Sequence, residues 1–207
     1  VQRCRCLLDL DADPAAVGDT LAADPGLTDL VARRPGLRVP GSVDGFELAV
    51  RAVLGQQISV AAARTMAGRL VARFGEPLPE ADGALTHRFP TADALADADL
   101  RGVGLTGARA ATLCRLAQSV ASGDLDLRPG ADREDTRRRL LSLPGIGTWT
   151  VEYVAMRALA DPDAFPATDL VLRKSLQHRG ITDTDRWRPW RAYAAMHLWT
   201  AQGDEPT

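Results

Sequence analysis

The sequence lacks the features of a metal-cluster, secreted or membrane-spanning protein. Its 207 residues include only three cysteines, Cys4, Cys6 and Cys114. Because these form neither a CxxC pair nor a four-ligand spacing, we expect no structural zinc and no iron–sulfur cluster. No charged segment followed by an apolar one opens the sequence, so we expect no secretion leader, and no apolar run is long enough to span a bilayer. These absences predict a cytoplasmic protein with reduced thiols and no membrane partner.

Lysine is also scarce, and the net charge of the chain is small. Lys174 is the only lysine, and 25 basic side chains face 27 acidic ones, a formal net charge of −2. This balance argues against non-specific binding of a polyanion through bulk charge, so any contact with nucleic acid must be local. We expect Arg137–Arg139 to form a solvated helix face, and contact with a phosphate is the alternative. His178 and His197 have no partner spacing that indicates catalysis or a metal, so core packing or surface positions are expected.

Apolar periodicity and capping residues predict an all-α fold. The weak alternation over residues 3–10 favours one short strand, and the proline-containing segment 75–90 is predicted to be a loop. Helix starts are expected at Asp13-Pro14 and Asp24-Pro25. Further helices are expected over residues 44–54, 59–74, 91–100, 132–143 and 149–159, from 169 onward, and over 189–200. The length permits one large domain or two small ones.

The most informative segment is Leu143–Thr150, which reads Leu-Pro-Gly-Ile-Gly-Thr-Trp-Thr. It ends one helix and begins another within a few residues. Gly145 and Gly147 have no Cβ, so each can adopt a positive φ or let another backbone approach closely. The first N–H groups of the new helix, near Gly147 and Thr148, lack partners and form an anion site that a phosphate would fit. A simple packing turn between two helices is the alternative.

Asp169 begins the next helix, directly after Pro166-Ala167-Thr168. Aspartate is among the preferred N-cap residues, so one interpretation is a structural cap. A catalytic role is compatible with this, because the capping N–H groups would orient the carboxylate. Trp149 and Tyr153 lie four residues apart and therefore share one face of the helix after the hairpin. Core packing is the alternative for each of these rings.

The hairpin and Asp169 together resemble the helix-hairpin-helix and Gly/Pro-rich loop with aspartate of the HhH-GPD superfamily of DNA glycosylases. Within it, the chain is most like the bacterial 3-methyladenine DNA glycosylases II, which excise alkylated bases. The likeness extends to segments 46–56 and 186–199, and it covers roughly residues 36–203 in the family's order.

The resemblance implies a domain organisation. A helical glycosylase domain would cover residues 36–207, in two helical subdomains with the active-site cleft between about 44–130 and the remainder. Residues 1–35 would hold the first helices and the end of a truncated preceding domain, including the predicted strand.

The resemblance also assigns roles to single residues. Asp169 is the catalytic carboxylate, which would stabilise the oxocarbenium-like sugar as the base leaves. The residues that would contact the base are Trp149, Tyr153 and Trp199. Those that would bind a phosphate of the DNA are Gly145, Gly147 and Thr148. Gln57 would be the wedge that enters the minor groove. The family also holds a monovalent cation on carbonyls of the hairpin, here those of Leu141, Leu143 and Ile146. No other cofactor is implied.

Trp149 stands two residues after the second hairpin glycine, where strand-cutting members of the superfamily carry a nucleophilic lysine. We therefore expect a monofunctional, monomeric glycosylase that flips alkylated purines out of double-stranded DNA and hydrolyses their glycosidic bond. Cationic 3-methyladenine and 7-methylguanine are suited to an aromatic cleft. Two alternatives stay open: a non-catalytic helix-hairpin-helix module that recognises damage, and a glycosylase for oxidised or mismatched bases.

Overall fold

The computed structural model describes residues 1–202, which form eleven α-helices, one 3₁₀ helix (Asp185–Trp187) and one two-stranded antiparallel sheet. The helices are α1 (Gln2–Leu7), α2 (Pro14–Ala22), α3 (Thr28–Arg33), α4 (Gly45–Leu54), α5 (Val60–Phe74), α6 (Ala92–Ala96), α7 (Gly107–Ala121), α8 (Arg133–Ser142), α9 (Thr148–Arg157), α10 (Leu170–His178) and α11 (Arg191–Gln202). The strands β1 (Pro77–Asp82) and β2 (Leu85–His87) lie between α5 and α6. The prediction of a helical fold is confirmed.

Most helices begin where a side chain accepts a hydrogen bond from the first turn. Asp44 accepts from the Glu47 N–H at 2.9 Å, and Ser59 accepts from the Ala62 N–H at 3.2 Å. The same kind of cap begins α2, α6, α7, α8 and α10, at Asp13, Thr91, Thr106, Asp132 and Asp169. These caps satisfy amides that have no partner inside the helix. The predicted starts at residues 13, 44, 59, 91, 132 and 169 are thereby confirmed.

The strand predicted over residues 3–10 is wrong, because this segment forms α1. Its backbone hydrogen bonds are local: Arg5 N donates to Val1 O at 3.1 Å, and Leu8 N donates to Cys4 O at 3.0 Å. A strand needs a neighbouring strand to pair its backbone groups. In the described part of the chain, β1 and β2 pair only with each other.

The helix start predicted at Asp24-Pro25 is also wrong, since α3 begins at Thr28. The Asp24 carboxylate accepts hydrogen bonds from Gly26 N at 2.8 Å and from Trp187 Nε1 at 2.7 Å. The first of these bonds holds the chain in a turn, and the second binds the turn to a fully buried tryptophan. Asp24 therefore acts in the core of the protein and not as a helix cap.

Two shorter elements differ from the prediction in extent. The loop predicted over residues 75–90 contains the β1–β2 hairpin, which turns at Gly83 with a φ of 56°. The helix expected to reach Leu100 ends at Ala96, because the next residue, Asp97, has a φ of −120° and leaves the helical region.

The described residues divide into two compact units, each with its own core. One unit is Asp44–Thr150, whose fully buried leucines come from α4 to α8: Leu54, Leu70, Leu95, Leu113, Leu116 and Leu140. The other unit is Val1–Val43 with the described residues from Val151 onward, and its fully buried side chains include Leu21, Leu27, Leu30, Leu172 and Trp187. Among residues 1–202, no helix is long and apolar enough to cross a membrane.

Candidate functional site

The segment between α8 and α9 is a tight hairpin whose shape depends on Gly145. This residue has a φ of 93°, in the left-handed region that favours glycine. A Cβ on Gly145 would lie 2.1 Å from Thr112 Oγ1 of α7, so packing excludes a side chain as well. Thr112 Oγ1 also donates a hydrogen bond to Pro144 O at 3.0 Å. Both the conformation and the packing of the predicted hairpin therefore require a glycine at this position.

The predicted phosphate-binding residues Gly145, Gly147 and Thr148 are all exposed. No described residue accepts a hydrogen bond from their backbone N–H groups. Apart from its two chain neighbours, no described residue has an atom within 4 Å of the place that a Cβ on Gly147 would occupy, so the space beside it is open. Because α9 begins at Thr148, the positive end of its dipole also lies here. This arrangement can bind a phosphate or another anion.

The three residues predicted to hold a cation lie in and beside the same hairpin. Leu141 is exposed, Leu143 is half-buried and Ile146 is buried. The carbonyl of Leu143 accepts a hydrogen bond from Ile146 N at 3.0 Å, and a carbonyl has a second lone pair. Residues 1–202 contain no group of three His, Cys, Asp or Glu side chains that could hold a metal ion. The cation on backbone carbonyls stays a prediction.

The loop between α4 and α5 carries the predicted wedge residue, Gln57. Gln57 is exposed and has a φ of 56°, which is uncommon for a residue with a side chain. The preceding residue, Gln56, donates from Nε2 to Gly145 O at 3.2 Å and to Thr150 Oγ1 at 3.1 Å. The sequence alone indicates no role for Gln56, because no local pattern points to a partner 89 residues away.

Asp169 caps α10 and also accepts a hydrogen bond from an indole. Its Oδ1 accepts from Val171 N and Leu172 N, both at 2.9 Å, and from Trp199 Nε1 at 3.1 Å. The residue is half-buried. Three donors on one oxygen fix the orientation of the carboxylate. The predicted N-cap is confirmed, and the structure adds a contact with Trp199 that the spacing could not indicate.

Two side chains fix the loop that leads to Asp169. Glu152 Oε2 accepts a hydrogen bond from Phe165 N at 3.0 Å. Arg191 donates from Nε and Nη2 to the two carboxylate oxygens of Asp163, each at 2.8 Å. A carboxylate on a loop held in this way is preorganised, which is what electrostatic stabilisation of a developing positive charge requires.

The three aromatic residues predicted to bind a base, Trp149, Tyr153 and Trp199, are all half-buried. Trp149 and Tyr153 both belong to α9, as predicted. The Arg157 guanidinium carbon lies 5.7 Å from the centre of the Tyr153 ring, a distance typical of a cation–π contact. The structure therefore brings Trp199 to Asp169 and a cation to Tyr153, and the base-binding roles stay predictions.

The arginines of α8 and the two histidines His178 and His197 lie where the sequence assigns them no part in catalysis. Arg138 and Arg139 form ion pairs with Asp135, and their side chains are 73% and 46% exposed. A solvated helix face is confirmed at these two positions, but the prediction is wrong for Arg137, whose side chain is only 18% exposed. His178 is exposed, whereas His197 is buried, and its Nδ1 has no hydrogen-bond partner among the described residues.

His197 leads to a prediction about stability and pH. Burial and the nearby charge of Arg34 lower the pKa of His197 from 6.5 to about 4. The unfolded chain binds a proton at His197 near pH 6.5, whereas the folded chain binds it only near pH 4. The contribution of neutral His197 to the free energy of unfolding is therefore complete above about pH 6.5 and is lost as the pH falls toward 4. The expected loss is on the order of 3 kcal/mol.

Thermal unfolding of the wild type and of His197→Gln, at neutral and acidic pH, measures this contribution. The exposed His178 supplies the matched control, His178→Gln. The His197 variant should lose less stability on acidification than either of the other two proteins. An equal loss in all three would show that His197 does not control the acid sensitivity.

Two family models match the chain: the AlkA N-terminal domain over residues 1–44, and the HhH-GPD superfamily base excision DNA repair proteins over residues 50–198. A Mycobacterium tuberculosis relative, the probable bifunctional transcriptional activator/DNA repair enzyme AlkA, is 52% identical over 96% of this chain and 42% of its own length. The chain therefore spans about two fifths of that relative. The DNA-3-methyladenine glycosylase 2 of Escherichia coli is 37% identical over 97% of this chain and 71% of its own length.

A solved structure agrees with these matches. The 3-methyladenine DNA glycosylase of Schizosaccharomyces pombe, in complex with abasic DNA, has a TM-score of 0.71 to this chain at 25% sequence identity. The alignment covers 93% of this chain and 100% of the yeast protein. Together with the glycine-dependent hairpin and the aspartate that caps α10, the matches establish that the chain belongs to the HhH-GPD superfamily of base excision DNA repair proteins.

Proposed function

We propose that this chain acts as a monofunctional DNA glycosylase, which flips alkylated purines out of double-stranded DNA and hydrolyses their glycosidic bond. The observation that carries this proposal is the Asp169 carboxylate, which is half-buried and oriented by two backbone N–H groups and the Trp199 indole. The relatives from Escherichia coli and Schizosaccharomyces pombe, both named as 3-methyladenine DNA glycosylases, support the substrate class.

DNA would be held by the hairpin. The exposed N–H groups of Gly145, Gly147 and Thr148 suit one phosphate of the damaged strand, and they need no side-chain cation. This mode of binding fits a chain with a net charge of −2 and a single lysine. Gln57, exposed in its loop, would fill the space that the extruded nucleotide leaves in the duplex.

Cleavage of the glycosidic bond would then depend on the positive charge of the alkylated base and the negative charge of Asp169. An alkylated purine such as 7-methylguanine is cationic, so the base takes the electrons of the C1′–N bond, leaves as a neutral molecule and needs no general acid. Trp149, Tyr153 and Trp199 would attract the cationic base, each by about 0.5–2 kcal/mol. The Asp169 carboxylate would stabilise the positive sugar. Water then adds to C1′ and loses a proton, which leaves an abasic site.

The product should be an uncut abasic strand, because Trp149 stands where a strand-cutting enzyme would have its nucleophilic lysine. The test incubates the wild type with duplex DNA that carries one alkylated purine, and identifies the released base by chromatography. A parallel sample contains borohydride, which traps a Schiff base between protein and DNA. We expect free base, no trapped adduct, and strand cleavage only after alkali is added.

Two other outcomes of this assay would contradict the proposal. A trapped adduct with cleavage before alkali would overturn the monofunctional assignment, and Lys174→Arg would test whether the only lysine is responsible. Binding of the damaged duplex without release of any alkylated base would favour the non-catalytic damage-recognition module.

A further inference from the structure

Gln56 connects two parts of the Asp44–Thr150 unit that lie far apart in the sequence. The side-chain amide has two N–H donors, and both partners belong to this unit. They are the carbonyl of Gly145 in the hairpin, at 3.2 Å, and the hydroxyl of Thr150 in α9, at 3.1 Å. A short loop between α4 and α5 is thus attached directly to the hairpin.

Helix α7 supports the same two segments. Arg109 Nη2 donates to the backbone carbonyl of Gln56 at 2.6 Å. One turn later in the same helix, Thr112 Oγ1 donates to Pro144 O at 3.0 Å. Gln56 is therefore bound through both its side chain and its main chain, and the hairpin is bound through two successive carbonyls, those of Pro144 and Gly145.

The fixed position of Gln56 helps to determine the backbone conformation of the next residue, Gln57. Gln57 keeps a φ of 56°, a left-handed conformation that costs a residue with a Cβ about 1–2 kcal/mol. Such a conformation persists only when the surrounding structure determines it, and the contacts of Gln56 supply that surrounding. The exposed Gln57 side chain and the exposed amides of the hairpin are consequently presented by one rigid body.

We infer that Gln56 is a positioning residue that couples the capture of a phosphate to the opening of the base pair. Because the loop and the hairpin are joined through Gln56, binding of a phosphate at the hairpin brings Gln57 to a defined place beside it. The inference rests on the proposed function and on Gln57 as the wedge. It places the effect of Gln56 on extrusion of the nucleotide, and not on cleavage of the glycosidic bond.

The test compares two substrates that differ only in pairing. In one duplex the alkylated purine has its normal partner, and in the other it faces an abasic site, so that no base pair has to be opened. Gln56→Ala should slow single-turnover base release from the paired duplex by about tenfold, as expected for the loss of two hydrogen bonds. Release from the unpaired substrate should stay within about twofold of the wild type.

A second variant and a matched control separate this role from a loss of stability. Gln56→Met keeps the length of the side chain without its donors, and it should reproduce the result for Gln56→Ala. Gln118 of the same unit donates from Nε2 to Ala96 O at 2.9 Å, so Gln118→Ala removes a comparable contact between a glutamine and a carbonyl. Release from both substrates should be unchanged by Gln118→Ala.

Fluorescence of 2-aminopurine placed beside the lesion reports extrusion without any chemistry. Gln56→Ala should reduce this signal for the paired duplex. Equal slowing on both substrates, or no slowing on either, would overturn the inference while the proposed function stands. If the wild type extrudes the nucleotide without releasing the base, the proposed function fails, and the fluorescence still decides the role of Gln56. A wild type that does neither overturns both.

Discussion

Asp169→Asn should slow base release by about 10²–10³-fold without unfolding the protein, as expected for the loss of a group that stabilises charge in the transition state. Asparagine is as good an N-cap as aspartate, so the cost to stability should be well under about 1 kcal/mol. Only the negative charge that would face the positive sugar is lost. Binding to duplex DNA should persist or tighten, because the hairpin amides are unchanged and one charge that repels phosphate is gone.

The measurement is single-turnover base release beside a binding isotherm, at one stated salt concentration. Asp13→Asn is the matched control, since Asp13 caps α2 by accepting from Ala15 N at 3.0 Å and from Ala16 N at 3.3 Å. Its release rate should equal that of the wild type. Trp199→Phe keeps a ring but removes the donor to Asp169, so its rate should fall less than that of Asp169→Asn. Release by Asp169→Asn at the wild-type rate would end the catalytic assignment.

Gly145→Ala should damage both the hairpin and the binding of DNA. The added methyl group would lie 2.1 Å from Thr112 Oγ1, and the alanine would have to keep a φ of 93°. The left-handed backbone costs about 1–2 kcal/mol, and overpacking adds about 1–3 kcal/mol. If the hairpin shifts to relieve this strain, its amides lose their arrangement around the phosphate. Affinity for duplex DNA should then fall by about tenfold or more.

Gly147→Ala is the control within the same hairpin. Apart from the two chain neighbours, no atom of residues 1–202 lies within 4 Å of the place that its Cβ would occupy, so we expect a change in unfolding free energy of less than about 1 kcal/mol. Urea unfolding compares the two variants with the wild type, and the DNA-binding isotherm applies to Gly145→Ala alone, because Gly147 is itself placed at the phosphate. If both variants unfold alike, the special role of Gly145 in the hairpin is wrong.

The sequence predicts those parts of the site whose causes are local. The turn at Gly145 and the cap at Asp169 each depend on a few neighbouring residues, and both are confirmed. The contacts of Gln56 with Gly145 and of Trp199 with Asp169 join residues 89 and 30 positions apart. They depend on how helices pack, and no local pattern indicates this. The error at α1 has a related cause, because alternation alone cannot provide the partner that a strand needs.

The division of the chain also has a consequence for the order of folding during synthesis. Trp187 donates to Asp24 across 163 residues, and Arg179 donates to Asp29 across 150 residues. The ribosome therefore makes α2 and α3 well before the helices that complete their core, at a pace of about 5–20 residues per second. The contiguous Asp44–Thr150 unit can fold in the interval. The core of the other unit can form only after Leu172 and Trp187 have been made, so it is completed late in synthesis.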